Sequence, residues 1–157
     1  RKINSVLAGE ASAFFSLKLG VLACFDCRVV PLPNLECVKD YFAWRQEDAH
    51  RNSLNAHCYW LLRQEGKSAQ EATKEIEGKS VSFKNELLFS RNINYNDLPG
   101  WQKRGIGLYY SSYEKTGYDP IKQQKAVSIR NRIETNMDLD TGDGYTDWVV
   151  SLMQGRG

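Results

Sequence analysis

The chain has 157 residues, 41% hydrophobic, 25% charged and 11% aromatic, with 21 Lys and Arg against 19 Asp and Glu for a net charge of +2. That length suits one domain or one and a half, and the composition is that of an ordinary soluble globular protein rather than a fibrous or disordered one. No apolar run approaches membrane-spanning length and no signal peptide is visible, so neither a membrane nor a secretory route is expected, while the charge balance neither requires nor excludes RNA.

Residues 3–19 read as a helix whose apolar stripe is Ile3, Leu7, Ala11, Phe14 and Leu17, with Ala8, Gly9, Ser12 and Ala13 small enough for close packing on a sheet. Gly20 can end it. Residues 25–32, FDCRVVPL, read as a strand closed by Pro31 and Pro33. A single strand makes no sheet. Helix, strand and then several helices therefore fits the second half of an α+β unit whose other strands precede Arg1, and the chain is expected to be a piece of a longer protein. Cys24 and Cys27 have CxxC spacing, but in a strand that spacing sends two side chains to opposite faces. Together with Cys37 and Cys58 they are expected to be reduced and structural, as in a cytoplasmic protein.

Asn34 is expected to cap a long helix reaching residue 63 or so. Its central run, YFAWRQEDAHRNSLNAHCYW (41–60), carries polar groups on the face that should be apolar. At about 100° per residue, Val38, Tyr41, Phe42, Ala49, Ala56, Tyr59 and Trp60 share a side, with Arg45 and Asn52 among them. A buried guanidinium and amide are costly without partners. Asp48, three residues after Arg45, offers one. Gly66 breaks this helix, and Ser68 with Glu71 forms a capping box for a short helix to about residue 77. Residues 80–89 read as another short helix and 92–100 as an Asn-rich loop with Pro99. Two strands follow, 106–113 and 126–134. In the second, Val127, Ile129, Asn131 and Ile133 alternate with Ser128, Arg130, Arg132 and Glu134. Residues 138–147 form a turn into a last helix around Trp148.

Four constellations invite chemistry. Arg45, Asp48, His50, Asn52 and Asn55 either bind phosphates or a base, or form a buried network that fixes helix packing. Lys84, Asn85 and Glu86, followed by Asn92, Asn94 and Asn96, either neutralise phosphate and read sugar or base edges, or make a solvated helix start and an Asx-rich turn. Asp138, Asp140, Asp143 and Asp147 suggest calcium, but the loop positions that need Gly and Glu hold Asp143 and Val149, which favours a surface turn. Arg130 and Arg132, with Lys103 and Arg104, either track an RNA backbone or guard an edge strand. No GxGxxG, Walker A, GxSxG or HExxH motif is present.

The segments FDCRVVPLPN (25–34), DYFAWRQEDAHRNSLNAHCYW (40–60), FKNELLFSRNINYNDLP (83–99) and GYTDW (144–148) are similar to the tRNA-His guanylyltransferase family, enzymes that add nucleotides to tRNA in the 3′-to-5′ direction. The resemblance implies an α+β fold: the end of a polymerase-like palm, a ferredoxin-type βαββαβ sheet, over residues 1–33, and a family-specific region of helices and a β-hairpin over 34–157. It implies two-metal phosphoryl transfer after 5′ activation by ATP or GTP, with Mg2+ held by aspartates outside this chain. The chain by itself is then expected to be inactive, with no metal ligand of its own.

The family's HINNLYN motif falls on His50–Ala56, which reads HRNSLNA here. His50, Asn52 and Leu54 match, while Arg51, Ser53, Asn55 and Ala56 depart in the manner of the guanylyltransferase-like branch, which tends to repair truncated tRNA 5′ ends. The resemblance assigns catalytic roles to Lys84 and Glu86, nucleotide binding to His50, Asn52 and Asn94, and a supporting role to Arg45 and Asp48. It implies tRNA and nucleoside triphosphates as partners and a homotetramer. The alternative is a non-catalytic RNA-binding or oligomerisation module on the same scaffold.

Overall fold

The computed structural model describes residues 2–154. The chain divides into two compact units, Arg1–Asn34 and Leu35–Gly157. Among the described residues no helix is long and apolar enough to cross a membrane.

The first unit is helix α1 (Lys2–Leu19) and a return segment. Gly20, at φ +69°, takes the left-handed conformation that ends the helix, and its N–H reaches the Ser16 carbonyl at 2.9 Å. The return is tied down by side chains. Ser12 Oγ accepts from the Phe25 N–H at 2.9 Å, Ser16 Oγ accepts from the Ala23 N–H at 3.0 Å, and the Phe15 and Phe25 rings lie 4.9 Å apart. Ser12, Phe15 and Ser16 share one helix face. The predicted stripe occupies the opposite face, where Ile3, Leu7, Phe14 and Leu17 are all exposed. The strand expected at 25–32 does not form. The segment has no regular secondary structure and joins no ladder among the described residues, and a strand without a partner makes no sheet.

The second unit is built on α2 (Leu35–Gln64). Gly66 stops it at φ +93°, with the Gly66 N–H bonded to the Arg63 carbonyl and the Lys67 N–H to the Leu62 carbonyl, each at 3.1 Å. This is the Schellman arrangement, which satisfies carbonyls that the helix end leaves free. The capping box at Ser68 and Glu71 is present and starts α3 (Ala69–Ile76), and the Ser80 hydroxyl caps α4 (Val81–Phe89). The Asn-rich loop holds a 3-10 turn (Tyr95–Asp97) and leads into a short helix, α5 (Gly100–Arg104). One core joins these pieces: Leu54, Cys58 and Leu62 of α2 against Ala72, Ile76, Leu87, Leu88 and Tyr95.

That core corrects in part the face expected for α2: Val38 of that face is buried and Tyr59 packs against the core, but the most deeply buried side chains are Leu54, Cys58 and Leu62. At about 100° per residue, Arg45, Asn52 and Tyr59 lie roughly 140–180° around the helix from Leu54. The Arg45 side chain is 51% exposed, so no guanidinium is buried. The opposite side faces the core because α3 and α4 supply their apolar side chains there.

Strands β1 (Gly107–Asp119) and β2 (Gln124–Asn136) pair antiparallel from Gly107 opposite Asn136 to Asp119 opposite Gln124, so both run longer than the sequence pattern suggested. Asp119 Oδ1 closes the turn by accepting from the N–H groups of Ile121 and Lys122. Helix α6 (Gly142–Gln154) follows and packs on α2, with Lys39 paired to Asp147 at 2.7 Å. The hairpin base is seated where a Cβ on Gly107 would lie 2.8 Å from the Trp148 ring and 2.9 Å from Leu139. The acidic run at 138–147 is spent on such contacts: Asp138 binds Arg104, and the Asp140 carboxylate sits over the start of α6.

Candidate functional site

The centre of the site is Tyr95, 3% exposed in the turn after α4. Its hydroxyl donates to the His50 carbonyl at 3.3 Å. Its ring meets the His50 ring edge-on at 5.4 Å and the His57 ring at 5.6 Å. Residues seven apart lie two helical turns apart on the same face, so α2 offers both imidazoles to one tyrosine. His57 Nδ1 lies 2.8 Å from the Ser53 carbonyl, which can only accept, so Nδ1 carries the proton. The Ser53 hydroxyl donates to the Gln102 carbonyl at 2.6 Å and ties α5 to α2.

Burial, and then the charges of Arg104 and Lys103, hold the His50 pKa below the usual histidine value. A neutral imidazole offers one donor and one acceptor, which suits reading a base or hydroxyl rather than neutralising phosphate. Burial likewise raises the Tyr95 phenol and the Cys58 thiol. Cys58 is an inert core group that donates to the Lys84 carbonyl at 3.5 Å.

Two cavities lie here, one lined by His50 and the other by Tyr95 itself. The first, about 360 Å³, is lined by Gln46, Glu47, His50, Arg51, Arg104, Thr141 and Gly142. The second, about 400 Å³, is lined by Ser82, Asn85, Glu86, Phe89, Asn94, Tyr95 and Asn96. At its wall Asn85 Oδ1 is buried with no hydrogen-bond partner among the described residues. Asn94 is committed to the turn: its amide donates to Asp97 at 2.8 Å and its oxygen accepts from the Asn96 N–H at 3.2 Å.

The first constellation is thus divided. His50 reaches the first cavity. Asp48 lies outside it and gathers Arg45 at 3.2 Å, Asn52 at 3.2 Å and Arg51 at 3.6 Å. Only Arg51 of these also lines the cavity, so Asp48 orients a wall residue, while Arg45 and Asn52 face solvent. Asn55 lines neither cavity. Glu86 and Asn94 meet at the second cavity; Lys84 is half-buried and lines neither. Lys103 donates to the Asn96 carbonyl at 2.7 Å, and Arg104 donates to the Leu139 carbonyl at 2.6 Å and pairs with Asp138 at 2.8 Å. Arg130 and Arg132 stand apart on the hairpin. The Arg132 guanidinium lies over the Tyr113 ring at 5.3 Å and binds Glu134 at 2.6 Å. Residues not singled out from sequence, Tyr95, Gln46, Arg51 and Thr141, complete the site; the only signal for Tyr95 was an aromatic inside an Asn-rich turn.

No group of three or more His, Cys, Asp or Glu side chains is placed to hold a metal ion among the described residues.

A cavity walled by His50 and another walled by Tyr95 share one α+β unit with a hairpin bearing arginines. Residues 36–141 match the family described as Thg1 C terminal domain, and the chain belongs to that family, the tRNA(His) guanylyltransferases. It is 45% identical over 111 residues to a probable tRNA(His) guanylyltransferase of Dictyostelium discoideum, covering 68% of this chain and 43% of that protein. It is 35% identical over 132 residues to a probable tRNA(His) guanylyltransferase of Mus musculus, covering 77% and 44% respectively. The chain therefore spans less than half the length of these relatives. Among solved structures, a bacterial tRNA(His) guanylyltransferase (Thg1)-like protein in complex with GTP shares 29% identity at a TM-score of 0.57, covering 96% of this chain and 54% of the other. The tRNA(His) guanylyltransferase of Saccharomyces cerevisiae shares 32% at 0.54, covering 67% and 52%.

Proposed function

We propose that this chain is part of a nucleotidyltransferase that adds nucleotides 3′-to-5′ to the 5′ end of tRNA, in 5′-end repair or tRNA-His guanylylation. In this reading ATP or GTP activates a 5′-monophosphate, and Mg2+ is held by aspartates outside the chain, on the palm of which residues 1–33 are the end. The protein works in the cytoplasm as a homotetramer. The observation that carries the reading is the meeting of three motif positions, His50, Glu86 and Asn94, around Tyr95.

The residues here bind and position. Neutral His50, with Arg51 and Arg104 beside it, holds a base or sugar in the first cavity. Glu86 and Asn94 line the second, where a donor group on the bound nucleotide would satisfy Asn85 Oδ1. Asp48, which also binds Arg45 and Asn52, orients Arg51 at the wall of the first cavity. Lys84 supplies positive charge toward phosphate. Arg130, Arg132 and Lys103 meet the RNA backbone, while Arg104 stays with Asp138 at the first cavity. The departures in HRNSLNA favour the repair branch, and the bacterial GTP-bound relative supports a nucleotide partner.

The test is incorporation of labelled nucleotide at the 5′ end of truncated tRNA by the whole protein, wild type against Lys84→Ala and His50→Ala, with circular dichroism to show the fold is kept. Loss of incorporation in both variants is expected, and wild-type rates would count against these roles. A wild-type protein that binds tRNA without extending it would establish the non-catalytic alternative.

A further inference from the structure

Ser53 stands in α2, about one turn after His50, at one of the positions where HRNSLNA departs from HINNLYN. A serine inside a helix often turns its hydroxyl back to a carbonyl three or four residues earlier. Ser12 and Ser16 of α1 do so, reaching the Ala8 and Ser12 carbonyls at 2.7 Å. The Ser53 hydroxyl instead leaves its helix and donates at 2.6 Å to the carbonyl of Gln102 in α5. With five residues, α5 is too short to persist alone, and Gln102 is among the last four of them, whose carbonyls a helix end leaves without partners. Ser53 therefore caps the end of a helix other than its own.

Two residues after Gln102, Arg104 enters the wall of the first cavity with His50. The side-chain hydrogen bonds of Arg104 run to the Leu139 carbonyl and the Asp138 carboxylate, and Lys103 donates to the Asn96 carbonyl, so none of these joins α5 to the helix that carries His50. The Ser53 bond does. We propose that Ser53 is a positioning residue of the first cavity: its hydroxyl pins α5 to α2 and so keeps Arg104 at the wall beside His50. The proposal rests on the reading of that cavity as a nucleotide site. The charged and titratable groups around His50 are Glu47 and Arg51 on its own helix, Tyr95 from the 3-10 turn, and Lys103 and Arg104 from α5, with Asp138 behind Arg104. Burial, and then the two α5 cations, hold the His50 pKa down. Slackening α5 removes the cationic share and leaves the burial, so the His50 pKa rises toward its unfolded value and the imidazole takes up its proton at a higher pH.

The test follows the His50 ring by proton NMR through a pH titration of the whole protein, its resonance assigned by absence in His50→Gln. Ser53→Ala should raise the titration midpoint, and Ser53→Thr, which keeps a hydroxyl there, should hold it at the wild-type value. Arg104→Gln should raise it as well. In that background Ser53→Ala should add little, because the charge it positions is already gone. The KM for the added nucleotide should rise about 2- to 10-fold in Ser53→Ala with kcat unchanged, the fold-change of one hydrogen bond lost. On acidification that KM should begin to climb at a higher pH than in wild type. Alanine is the best helix former, so circular dichroism should show the fold kept. A midpoint that stays at the wild-type value in Ser53→Ala, or that rises as much in the Arg104→Gln background, would overturn the role of Ser53 whatever the protein adds to tRNA. A midpoint that moves as expected with an unchanged KM would uphold Ser53 as the pin of α5 and remove the first cavity from nucleotide binding.

Discussion

Tyr95 gives its hydroxyl proton to the backbone carbonyl of His50 and sets its ring edge-on to the His50 imidazole, so one buried side chain fixes both the position of α2 and the orientation of a site residue. Tyr95→Phe keeps the ring and loses the bond, leaving a carbonyl with its helical partner alone. A cost of about 0.5–1.5 kcal/mol is expected. Tyr95→Ala removes the ring from the core and should cost about 3–5 kcal/mol. Urea unfolding of both variants checks the ranking. Equal losses would mean that the ring contributes nothing beyond its hydroxyl.

Histidine 50 should make stability depend on pH. Burial, followed by Arg104 and Lys103, lowers its pKa in the folded chain. The unfolded state then binds the proton more readily, so stability is highest above the unfolded value of about 6.5 and falls as pH drops from there through the lower folded value. His50→Gln should flatten that part of the curve. Denaturant midpoints between pH 7.5 and 5.5, as about one unit either side of the unfolded pKa, would show it. A slope unchanged in the variant would place the proton elsewhere.

Helix α2 shows what was legible in sequence and what was not. Its C-terminal end was, because Gly66 acts through hydrogen bonds a few residues long, as Ser68 with Glu71 and Ser80 do at the starts of α3 and α4. Its inner face was not. Apolar and aromatic residues surround the helix, so periodicity alone does not choose between the Tyr41–Tyr59 side and the Leu54–Cys58–Leu62 side. The choice is made by Ala72, Ile76, Leu87 and Leu88, which arrive from later in the chain. The segment 25–32 failed for a related reason, since a strand is defined by its partner. In the site, His50, Glu86 and Asn94 were legible through motifs, whereas Tyr95, which joins them, was hidden in a polar turn. The face assignment is testable: Leu54→Ala should cost about 2–5 kcal/mol, while Arg45→Ala should stay within about 1 kcal/mol because its pair with Asp48 is exposed. Comparable losses in thermal or urea unfolding would restore the other face.

On the hairpin, Arg130 and Arg132 share a side with Tyr113 and Lys115, but they are not equivalent. Arg132 is held by Glu134 at 2.6 Å and by the Tyr113 ring, whereas Arg130 is exposed on the same strand. If this side tracks a phosphate backbone, each arginine that releases a counterion adds about one to the slope of log affinity against log salt. Arg130→Ala should lower tRNA affinity and that slope by the larger amount. Arg132→Ala should do less, because its guanidinium is partly neutralised already. Adding Glu134→Ala to wild type should free Arg132 and strengthen binding. Filter binding over a salt series separates these outcomes: a slope that stays at its wild-type value in the Arg130→Ala, Arg132→Ala double variant would assign the side to solvent.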